Sequence, residues 1–437
     1  MNPKIAILGG GYAGMAAAVE LAAAGAAVTV FEAGKVLGGR ARKVVLDGRE
    51  VDNGQHLVIG AYGELLRLMR LAGVDPVAAY LRQALELVVE PGFRLACPNL
   101  PAPLHLAAGL LGARGLGMAA RWQLIRAIRS AQTAGWVLAT DCTVADWLAQ
   151  QHQSRNLVAR FWQPLTVAAL NTPLEKASAQ VLLNVLRDSL GGARSASDLL
   201  FPKVDFSALF PEAAAGFVLA RGGEVRLGAM VKSLRRTESG WAVGEGDERY
   251  DAVICALPPH RAGMVLRDLP RLMVLAQQLE HWEYQPIVTV YLQYDPAVRL
   301  PRPMTGLADS PAQWVFDRHY SHATPGLIAV VISAEGEHTH WSREVLIAAV
   351  ERELHLRLQL PAQAQWRGMI AEKRATFACV PGMQRPINKT AEPGLWLAGD
   401  YTAGKHYDYP ATLEGAVRSG VAAARELMGS ELWESIR

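Results

Sequence analysis

Residues 4–14 read KIAILGGGYAG, a short apolar strand that runs directly into the pattern Gly-x-Gly-x-x-Gly. An alanine-rich helical stretch follows to about Gly25. A second apolar strand, residues 27–31, then ends at the acidic Glu32. Strand, glycine turn, helix, second strand and terminal acid together predict a dinucleotide-binding βαβ unit, which the glycine pattern alone would indicate only weakly.

Each glycine of this pattern, and the acid that ends the second strand, has its own physical task. Gly9 permits the tight turn out of the strand, and Gly11 lets the backbone approach a pyrophosphate. Gly14 lets the helix pack closely on the sheet, and the helix N-terminus offers amides and a positive dipole to the phosphates. Glu32 stands where a carboxylate holds the ribose hydroxyls.

The next block favours FAD over NAD. Gly38-Gly39-Arg40 follows the second strand, and Arg42 comes two residues later. Two glycines directly before a cation suit a second close backbone approach, with both arginines able to neutralise phosphate charge. An ordinary turn with two solvated arginines is the alternative. Because this glycine-arginine block follows the first motif at the spacing of a second phosphate contact, the flavin interpretation is preferred.

Two further segments extend the nucleotide-binding unit. Residues 394–400 form an apolar strand that ends at Gly399-Asp400, and residues 410–420 read as the start of a helix. In the middle of the chain, residues 222–234 predict two short strands, and residues 250–259 predict a buried strand stopped by two prolines. We therefore expect a discontinuous FAD-binding domain.

These motifs resemble those of the FAD-dependent amine oxidases, phytoene desaturases and protoporphyrinogen oxidases. The resemblance implies an α/β fold, with a Rossmann-like FAD-binding domain and a mixed helical/β substrate domain. It also implies that Asp400 contacts the ribityl-phosphate portion, that Val231 packs on the adenine, and that the C-terminal helix points at the flavin pyrimidine edge. The expected domains are residues 1–60, 215–265 and 390–437 for FAD, and residues 61–214 and 266–389 for the substrate.

Composition narrows the class of function. The formal net charge of the 437 residues is +3, 19% of them are charged and the basic ones are scattered, so no nucleic-acid surface is expected. The hydrophobic content of 51% suggests a greasy substrate or a membrane contact. The four cysteines are far apart, without metal-ligand spacing, and no secretory signal precedes the first strand. A reducing, cytoplasmic compartment and no bound metal are expected.

Residues 57–219 are expected to be largely helical. Within them, Pro98, Pro101 and Pro103 interrupt an uncharged run, which argues against a transmembrane helix. Residues 104–129 alternate leucine and tryptophan with arginine, as in a helix that lies in a lipid interface. A core-packed helix with a solvated cationic face is an equally good interpretation, so peripheral attachment to the inner face of a membrane stays open.

A narrower resemblance covers essentially the whole chain. Residues 51–57 (VDNGQHL), 161–173, 197–202 and 410–420 are similar to those of the hydroxysqualene dehydroxylases of bacterial hopanoid pathways. This resemblance implies reductive replacement of the hydroxyl of hydroxysqualene, a long isoprenoid, by hydrogen from flavin N5 to give squalene. Residues 400–410 depart from the more apolar connection expected there. The electron donor and the oligomeric state are not indicated.

Three residues are candidates for catalysis. His56 has a suitable pKa range for an acid, although a role as a hydrogen-bonding partner is the better interpretation. Tyr409 precedes the C-terminal helix and is expected either to face the flavin or to lie in a surface loop. Asn171 is a polar point in an apolar run, or equally a satisfied buried amide. Cys379 lacks the flanking glycines of covalent-flavin cysteines, so non-covalent FAD is expected.

Taken together, the residues expected to bind FAD come from every segment above. They are Gly9, Gly11, Tyr12, Ala13, Gly14, Glu32, Ala33, Gly38, Gly39, Arg40, Gly54, Gln55, His56, Val231, Gly399, Asp400, Ala411 and Thr412. Two rival functions remain: an FAD-dependent carotenoid desaturase or amine oxidase, and a flavin-bearing scaffold without turnover that docks to squalene-pathway enzymes at the membrane.

Overall fold

The computed structural model describes residues 2–238, 240–246, 248–405 and 408–436. His406 and Tyr407, in the stretch that departs from the family pattern, lie outside the described residues. The strands, in chain order, are Lys4–Leu8 (β1), Ala27–Glu32 (β2), Lys43–Leu46 (β3), Arg49–Asp52 (β4), Val58–Ile59 (β5), Tyr80–Gln83 (β6), Glu86–Glu90 (β7), Phe93–Ala96 (β8), Leu199–Pro202 (β9), Glu224–Leu227 (β10), Leu234–Thr237 (β11), Gly240–Val243 (β12), Arg249–Tyr250 (β13), Ala252–Cys255 (β14), Tyr284–Gln293 (β15), Met304–Leu307 (β16), Trp314–Asp317 (β17), Leu327–Ser333 (β18), Trp366–Phe377 (β19) and Leu395–Leu397 (β20).

The helices connect these strands in both halves of the molecule. In chain order they are Tyr12–Ala23 (α1), Gly63–Leu71 (α2), Pro76–Ala79 (α3), Leu104–Gly112 (α4), Met118–Thr133 (α5), Val144–Gln150 (α6), Arg155–Leu157 (α7), Gln163–Leu170 (α8), Ala179–Leu190 (α9), Phe206–Leu209 (α10), Pro211–Leu219 (α11), Pro259–Leu266 (α12), Met273–Glu280 (α13), Arg318–His322 (α14), Arg343–Leu358 (α15), Leu413–Met428 (α16) and Glu431–Ile436 (α17). Within the ranges given above, no helix is long and apolar enough to cross a bilayer.

A five-stranded parallel sheet assembles from distant parts of the chain, in the order β10-β2-β1-β14-β20. Alternate residues of β1 point to opposite faces, as strand geometry requires. Ile5 and Ile7 pack in the core beneath α1 and α16, whereas Ala6 and Leu8 join the core on the opposite face. Both faces are therefore covered, as is usual for an all-parallel sheet.

The close packing of α1 on α16 brings the two ends of the chain together. A Cβ atom at Gly420 would lie 2.1 Å from the carbonyl oxygen of Ala13, so a side chain there would force the helices apart. Ala16, Ala17 and Ala18 of α1 are fully buried in the same core. As a result, α1 and α16 both begin at the same edge of the parallel sheet.

The second unit is built on a seven-stranded sheet in the order β19-β15-β18-β17-β16-β7-β8. Its pairs are antiparallel except for β16 with β7. One face packs against α15 in a separate core, and the other face contributes to the large central core. Because β7 and β8 come from the region before α4, this sheet ties the two parts of the substrate unit together.

The α/β fold class and the parallel nucleotide-binding sheet confirm the sequence prediction. Residues 57–219 are largely helical, as expected, but they also contain five short strands, β5 to β9. Strands β5 and β6 pair with β9, and β7 pairs with β8 and with β16. One local prediction was wrong. Only the first of the two strands predicted in residues 222–234 forms, as β10, and residues 228–233 are a connection to β11. The division into domains at the predicted boundaries stays our proposal.

Candidate active site and cofactor cavity

The first glycine turn leaves an open cradle at the start of α1. Gly9 has a φ of +107°, which a residue with a side chain rarely adopts, and Gly11 is the N-cap of α1. No side chain caps this helix, so its first amides face the cavity without a side-chain acceptor. A Cβ atom at Gly11 would meet nothing closer than 3.7 Å, which is the Cα of Gly39. The space beside Gly11 therefore suits a bound group that approaches the backbone closely.

The carboxylate of Glu32 braces this cradle at the end of β2. One oxygen accepts the Gly10 N–H at 2.7 Å, and the other accepts the Gly34 N–H at 2.7 Å. The Glu32 carbonyl also accepts the N–H of Ala229, which follows β10. Ala33 and Val231 line the same end of the cavity. The glycine turn, the end of β2 and the residues after β10 thus form a niche where the sequence predicts the ribose and the adenine.

Arg40 and Asp400 join the two ends of the chain across the cavity wall. The guanidinium Nη2 lies 2.5 Å from Asp400 Oδ2, and Nη1 donates to the Ala375 carbonyl at 2.7 Å. Asp400 is 7% exposed, and its other oxygen, Oδ1, is buried with no hydrogen-bond partner among the residues that the structure describes. A buried unpaired carboxylate oxygen in a cavity wall needs a donor. A sugar or ribityl hydroxyl of a bound dinucleotide would supply one.

The N-terminus of α16 forms the opposite side of the cofactor space. Thr412 is its N-cap, and its hydroxyl accepts the Gly415 N–H at 3.1 Å. Ala411, Thr412 and Leu413 all line the cavity. Two helix N-termini therefore point into one cavity, an arrangement that favours an anionic ligand such as a reduced, negatively charged flavin ring. The residues present fit a flavin dinucleotide.

The Asn53–Leu57 loop passes along the cavity wall after β4. His56 packs edge-on against Phe206, with ring centroids 5.0 Å apart. Burial lowers the pKa of His56 to about 4, so its imidazole is neutral near pH 7. A neutral imidazole can donate one hydrogen bond and accept one, but it carries no positive charge.

A buried charged network holds this loop from behind. Arg318 Nη1 donates to Asp52 Oδ2 at 3.0 Å and to Gln55 Oε1 at 2.8 Å. Asp52 also accepts the Phe206 N–H at 3.0 Å, and His322 Nε2 lies 3.2 Å from Oδ2. Burial opposes ionisation of Asp52, but contact with His322 and the charge of Arg318 hold its pKa below the ordinary value. The network fixes Gln55 beside the cofactor space.

Tyr409 belongs to a polar cluster on the wall of the cavity. Its hydroxyl donates to Asp188 Oδ2 at 2.7 Å and accepts from Arg187 Nη2 at 3.2 Å. The guanidinium of Arg418 lies 5.0 Å from the Tyr409 ring centroid, and its Nη1 lies 3.6 Å from Asp188. Burial and the neighbouring Asp188 carboxylate raise the pKa of Tyr409. Tyr409, Asp188 and Arg418 all line the cavity.

Asn171 is a hydrogen-bonded corner of the cavity. Its side-chain amide donates to Thr376 Oγ1 at 2.9 Å and to the Pro286 carbonyl at 3.3 Å. Its oxygen accepts the Ala334 N–H at 2.6 Å. These bonds occupy most of what the amide can offer, which supports an interpretation of Asn171 as a residue that shapes the wall.

The cofactor space opens without interruption into an apolar chamber. The whole cavity has a volume of about 1990 Å³. Ordinary small-molecule pockets occupy roughly 300–1,000 Å³. Side chains from several helices and from the seven-stranded sheet form the chamber wall, among them Leu110, Ile125, Phe161, Leu165, Ile287, Trp314, Phe316 and Val331. The cavity has room for both a dinucleotide and a long hydrocarbon.

Of the predicted site residues, all but Gly14 line this one cavity. Gly14 serves packing, since a Cβ atom there would lie 1.9 Å from the Gly9 carbonyl oxygen. Their roles in binding and catalysis stay predictions. Asp188 and Arg318 were missed because neither stands in a recognisable motif, and only the tertiary fold places them beside Tyr409 and Gln55. Arg418 and Asp52 stood inside quoted motifs without a role assigned to them.

Comparison with known proteins places these features in context. Residues 12–428 match the family described as flavin containing amine oxidoreductase. The chain is 29% identical to hydroxysqualene dehydroxylase of Rhodopseudomonas palustris, over 97% of this chain and 98% of that protein. It is 28% identical to hydroxysqualene dehydroxylase of Sinorhizobium fredii, with the same coverage. It is 24% identical to 15-cis-phytoene desaturase of Synechococcus elongatus, over 98% of this chain and 96% of that protein.

Solved structures of amine oxidases share the fold. A redesigned putrescine oxidase superposes with a TM-score of 0.70 at 20% identity, covering 98% of this chain and 99% of its own. Cyclohexylamine oxidase from Brevibacterium oxydans superposes with a TM-score of 0.68 at 17% identity, covering 100% of both chains. At these identities the likeness concerns the fold alone.

Proposed function

The chain belongs to the family of flavin-containing amine oxidoreductases, and we propose that within it the protein is an FAD-dependent hydroxysqualene dehydroxylase. The observation that carries this proposal is the single cavity that joins a dinucleotide cradle to a large apolar chamber. The dehydroxylase relatives, at 28% and 29% identity over nearly the whole chain, supply the substrate class. A C30 isoprenoid alcohol needs such a dry, elongated chamber.

FAD is the cofactor, and the two chain ends hold it. Gly9, Gly11 and the N-terminus of α1 would receive the pyrophosphate, and Asp400 Oδ1 would accept a ribityl hydroxyl. FAD is retained without a covalent bond in this proposal. Cys379 is buried, and burial raises the pKa of its thiol to about 11, so its thiolate is scarce at neutral pH. When bound and reduced, the flavin supplies a hydride for the carbon that loses the hydroxyl.

The remaining requirement is a proton for the departing hydroxyl. We assign it to Tyr409, whose hydroxyl stands in the cavity wall beside the N-terminus of α16. The proton passes from Tyr409 Oη to the substrate oxygen, the C–O bond breaks and water leaves. Arg187, 3.2 Å away, and Arg418, above the ring, then stabilise the phenolate until solvent returns a proton. The Tyr409 hydroxyl donates to Asp188 Oδ2 in the structure, so for this transfer it turns from Asp188 to the substrate oxygen.

The apolar wall and the neighbouring loop complete the site. Leucine, isoleucine and phenylalanine side chains around the chamber exclude water, which protects an allylic cation from capture and strengthens nearby electrostatic interactions. His56, neutral near pH 7, orients a polar group by a hydrogen bond, and Asn171 shapes the chamber. An external two-electron donor must reduce the flavin again after each turnover.

An anaerobic turnover experiment tests this function. Holoprotein is photoreduced and mixed with hydroxysqualene, and the flavin spectrum and the lipid products are followed. Reoxidation of the flavin with formation of squalene is the expected result. A flavin that stays reduced, but is bleached from its oxidised form by a polyene or an amine, identifies a desaturase or oxidase instead. No response to any of these compounds points to a scaffold.

The role of Tyr409 is tested in the same assay. Tyr409→Phe should slow flavin reoxidation by about 10²-fold or more, the usual contribution of a general acid. Tyr320→Phe is the matched control, because the Tyr320 hydroxyl bonds to the Leu300 carbonyl, away from the cavity wall. Unchanged reoxidation by Tyr409→Phe would remove Tyr409 from the mechanism while leaving the overall reaction in place.

We place the protein in the cytoplasm, in contact with the inner face of a membrane, because its substrate is a lipid. The electron donor is not assigned.

A further inference from the structure

The apolar chamber reaches the protein surface between α4 and α5. Residues that line the cavity and are also exposed to solvent mark this opening, called the mouth below. They are Pro103, Ala107, Leu111, Trp122, Arg129 and Gln132. From the mouth, Leu106, Leu110 and Ile125 lead inward to the chamber. A long hydrocarbon can follow this path without leaving apolar surroundings.

A second exposed stretch of the cavity has a different character. Arg261, Arg267, Lys373 and Arg374 border it beside the cofactor space. These cations suit phosphate groups rather than a hydrocarbon chain. The mouth between α4 and α5 is therefore the better route for an isoprenoid.

Large apolar side chains surround the mouth and face solvent. Their exposed fractions are 39% for Leu100, 58% for Leu104, 48% for Leu111, 60% for Met118, 59% for Trp122 and 53% for Val137. Single exposed apolar side chains are ordinary, but six large ones within residues 100–137, beside an opening of the cavity, indicate an interaction site.

The charged side chains of the segment that forms the mouth have one sign. Residues 91–140 contain five arginines and no aspartate or glutamate. On α5, Met118, Trp122, Arg126 and Arg129 are all exposed and follow the spacing of one helix face. Arginine beside tryptophan and aliphatic side chains on one face is the composition of helices that lie in an anionic lipid interface.

We propose that α4 and α5 dock on an anionic phospholipid bilayer and open the cavity directly to its acyl-chain region. The docking surface consists of Leu100, Leu104, Leu111, Met118, Trp122, Val137, Arg114, Arg126 and Arg129. A hydrocarbon substrate then enters without crossing water, where each exposed apolar group is unfavourable. That the arriving lipid is hydroxysqualene rests on the proposed function, whereas docking does not.

Vesicle flotation of the holoprotein tests the docking surface without turnover. Wild-type protein should float with vesicles of mixed phosphatidylglycerol and phosphatidylcholine, and much less with phosphatidylcholine alone. Leu104→Ser/Met118→Ser and Arg114→Glu/Arg126→Glu should each reduce binding to the mixed vesicles at least about tenfold. None of these four residues lines the cavity. Their flavin spectra should match that of the wild type.

Matched controls come from α15, on the far side of the seven-stranded sheet. Val345 and Leu356 are 54% and 67% exposed there, and Arg343 and Arg352 are exposed as well. Val345→Ser/Leu356→Ser and Arg343→Glu/Arg352→Glu should float like the wild type. Equal flotation of the docking-surface variants and the α15 variants would overturn the proposal, as would a wild-type protein that does not float.

The wild-type protein could instead fail to bind vesicles and form a concentration-dependent dimer that Leu104→Ser/Met118→Ser makes monomeric. That result would assign the surface to a second copy of the chain and would also overturn the proposal. Turnover separates this inference from the proposed function. With hydroxysqualene in vesicles the docking-surface variants should lose activity, and with substrate in detergent micelles they should keep it. A wild-type protein that floats but converts nothing in either medium contradicts the dehydroxylase and leaves docking supported.

Discussion

At the scale of single residues, the two later glycines of the first turn have separable tasks. A Cβ atom at Gly14 would lie 1.9 Å from a backbone oxygen, so glycine is required there by the protein itself. A Cβ atom at Gly11 would point into open space, with its nearest neighbour 3.7 Å away. Glycine at position 11 is therefore required by the bound dinucleotide and not by the packing of the protein.

This difference gives a paired prediction. Gly11→Val should fold normally but purify without its yellow colour, because the added side chain blocks close approach of the pyrophosphate. Gly14→Ala should lose about 1–3 kcal/mol of unfolding free energy from overpacking. Flavin absorbance and urea unfolding of the flavin-free proteins measure the two effects. A yellow Gly11→Val protein would contradict the placement of the pyrophosphate.

His56 predicts a pH dependence of stability. Its pKa in the folded protein is about 4, whereas an unperturbed histidine has a pKa of about 6.5. The unfolded chain therefore binds a proton first as the pH falls, and the folded state loses up to about 3 kcal/mol between pH 6.5 and pH 4. Above pH 6.5 the imidazole is neutral in both states and has no effect.

His56→Gln should lose less stability than the wild type across this pH window, by denaturant unfolding at a series of pH values. His281→Gln, at an exposed ring, should follow the wild-type curve. Parallel curves for His56→Gln and the wild type would show that the site holds the imidazole in a more polar environment than the packing against Phe206 indicates.

At the scale of elements, local patterns predicted what depends on neighbours in sequence. The β1–α1–β2 unit and the capped start of α16 follow from glycine turns and from Thr412. The strand β7 was missed because its partner β16 lies about two hundred residues away, and β8 is the hairpin partner of β7. Asp188 and Arg318 were missed for the same reason, since their partners Tyr409 and Gln55 are distant in the chain.

The buried pair between β4 and α14 should be a large local contributor to stability. Arg318 is 3% exposed and Asp52 is fully buried. Arg318→Met leaves the buried Asp52 carboxylate without its guanidinium partner, so we expect a loss of about 3–5 kcal/mol in unfolding free energy. Burial of the uncompensated charge is the cause, and chemical denaturation measures it.

The matched control is Arg226→Met at an exposed ion pair with Glu224 and Glu248. Exposed pairs contribute about 0–1 kcal/mol, so this variant should unfold close to the wild type. If Arg318→Met lost no more unfolding free energy than Arg226→Met, the Asp52 network would have to be hydrated in solution. The network would then not hold Gln55 in place.

At the scale of the whole molecule, the cofactor cavity joins segments that are far apart in the chain. The N-terminus of α1, residues 229–232 after β10, and the N-terminus of α16 all line it. The Arg40–Asp400 pair already links the first and last of these segments. A ligand that contacts all three stabilises the assembled domain rather than one element.

FAD should therefore stabilise the protein globally. Ligand that binds only the folded state adds about 2.7 kcal/mol at a concentration one hundred times its Kd. Adding FAD to flavin-free protein should raise the unfolding midpoint as its concentration rises and slow hydrogen exchange in all three segments together. Gly11→Val should show neither response. Protection confined to the N-terminal segment would mean that β10 and α16 do not share the cofactor, and the discontinuous FAD domain would be wrong.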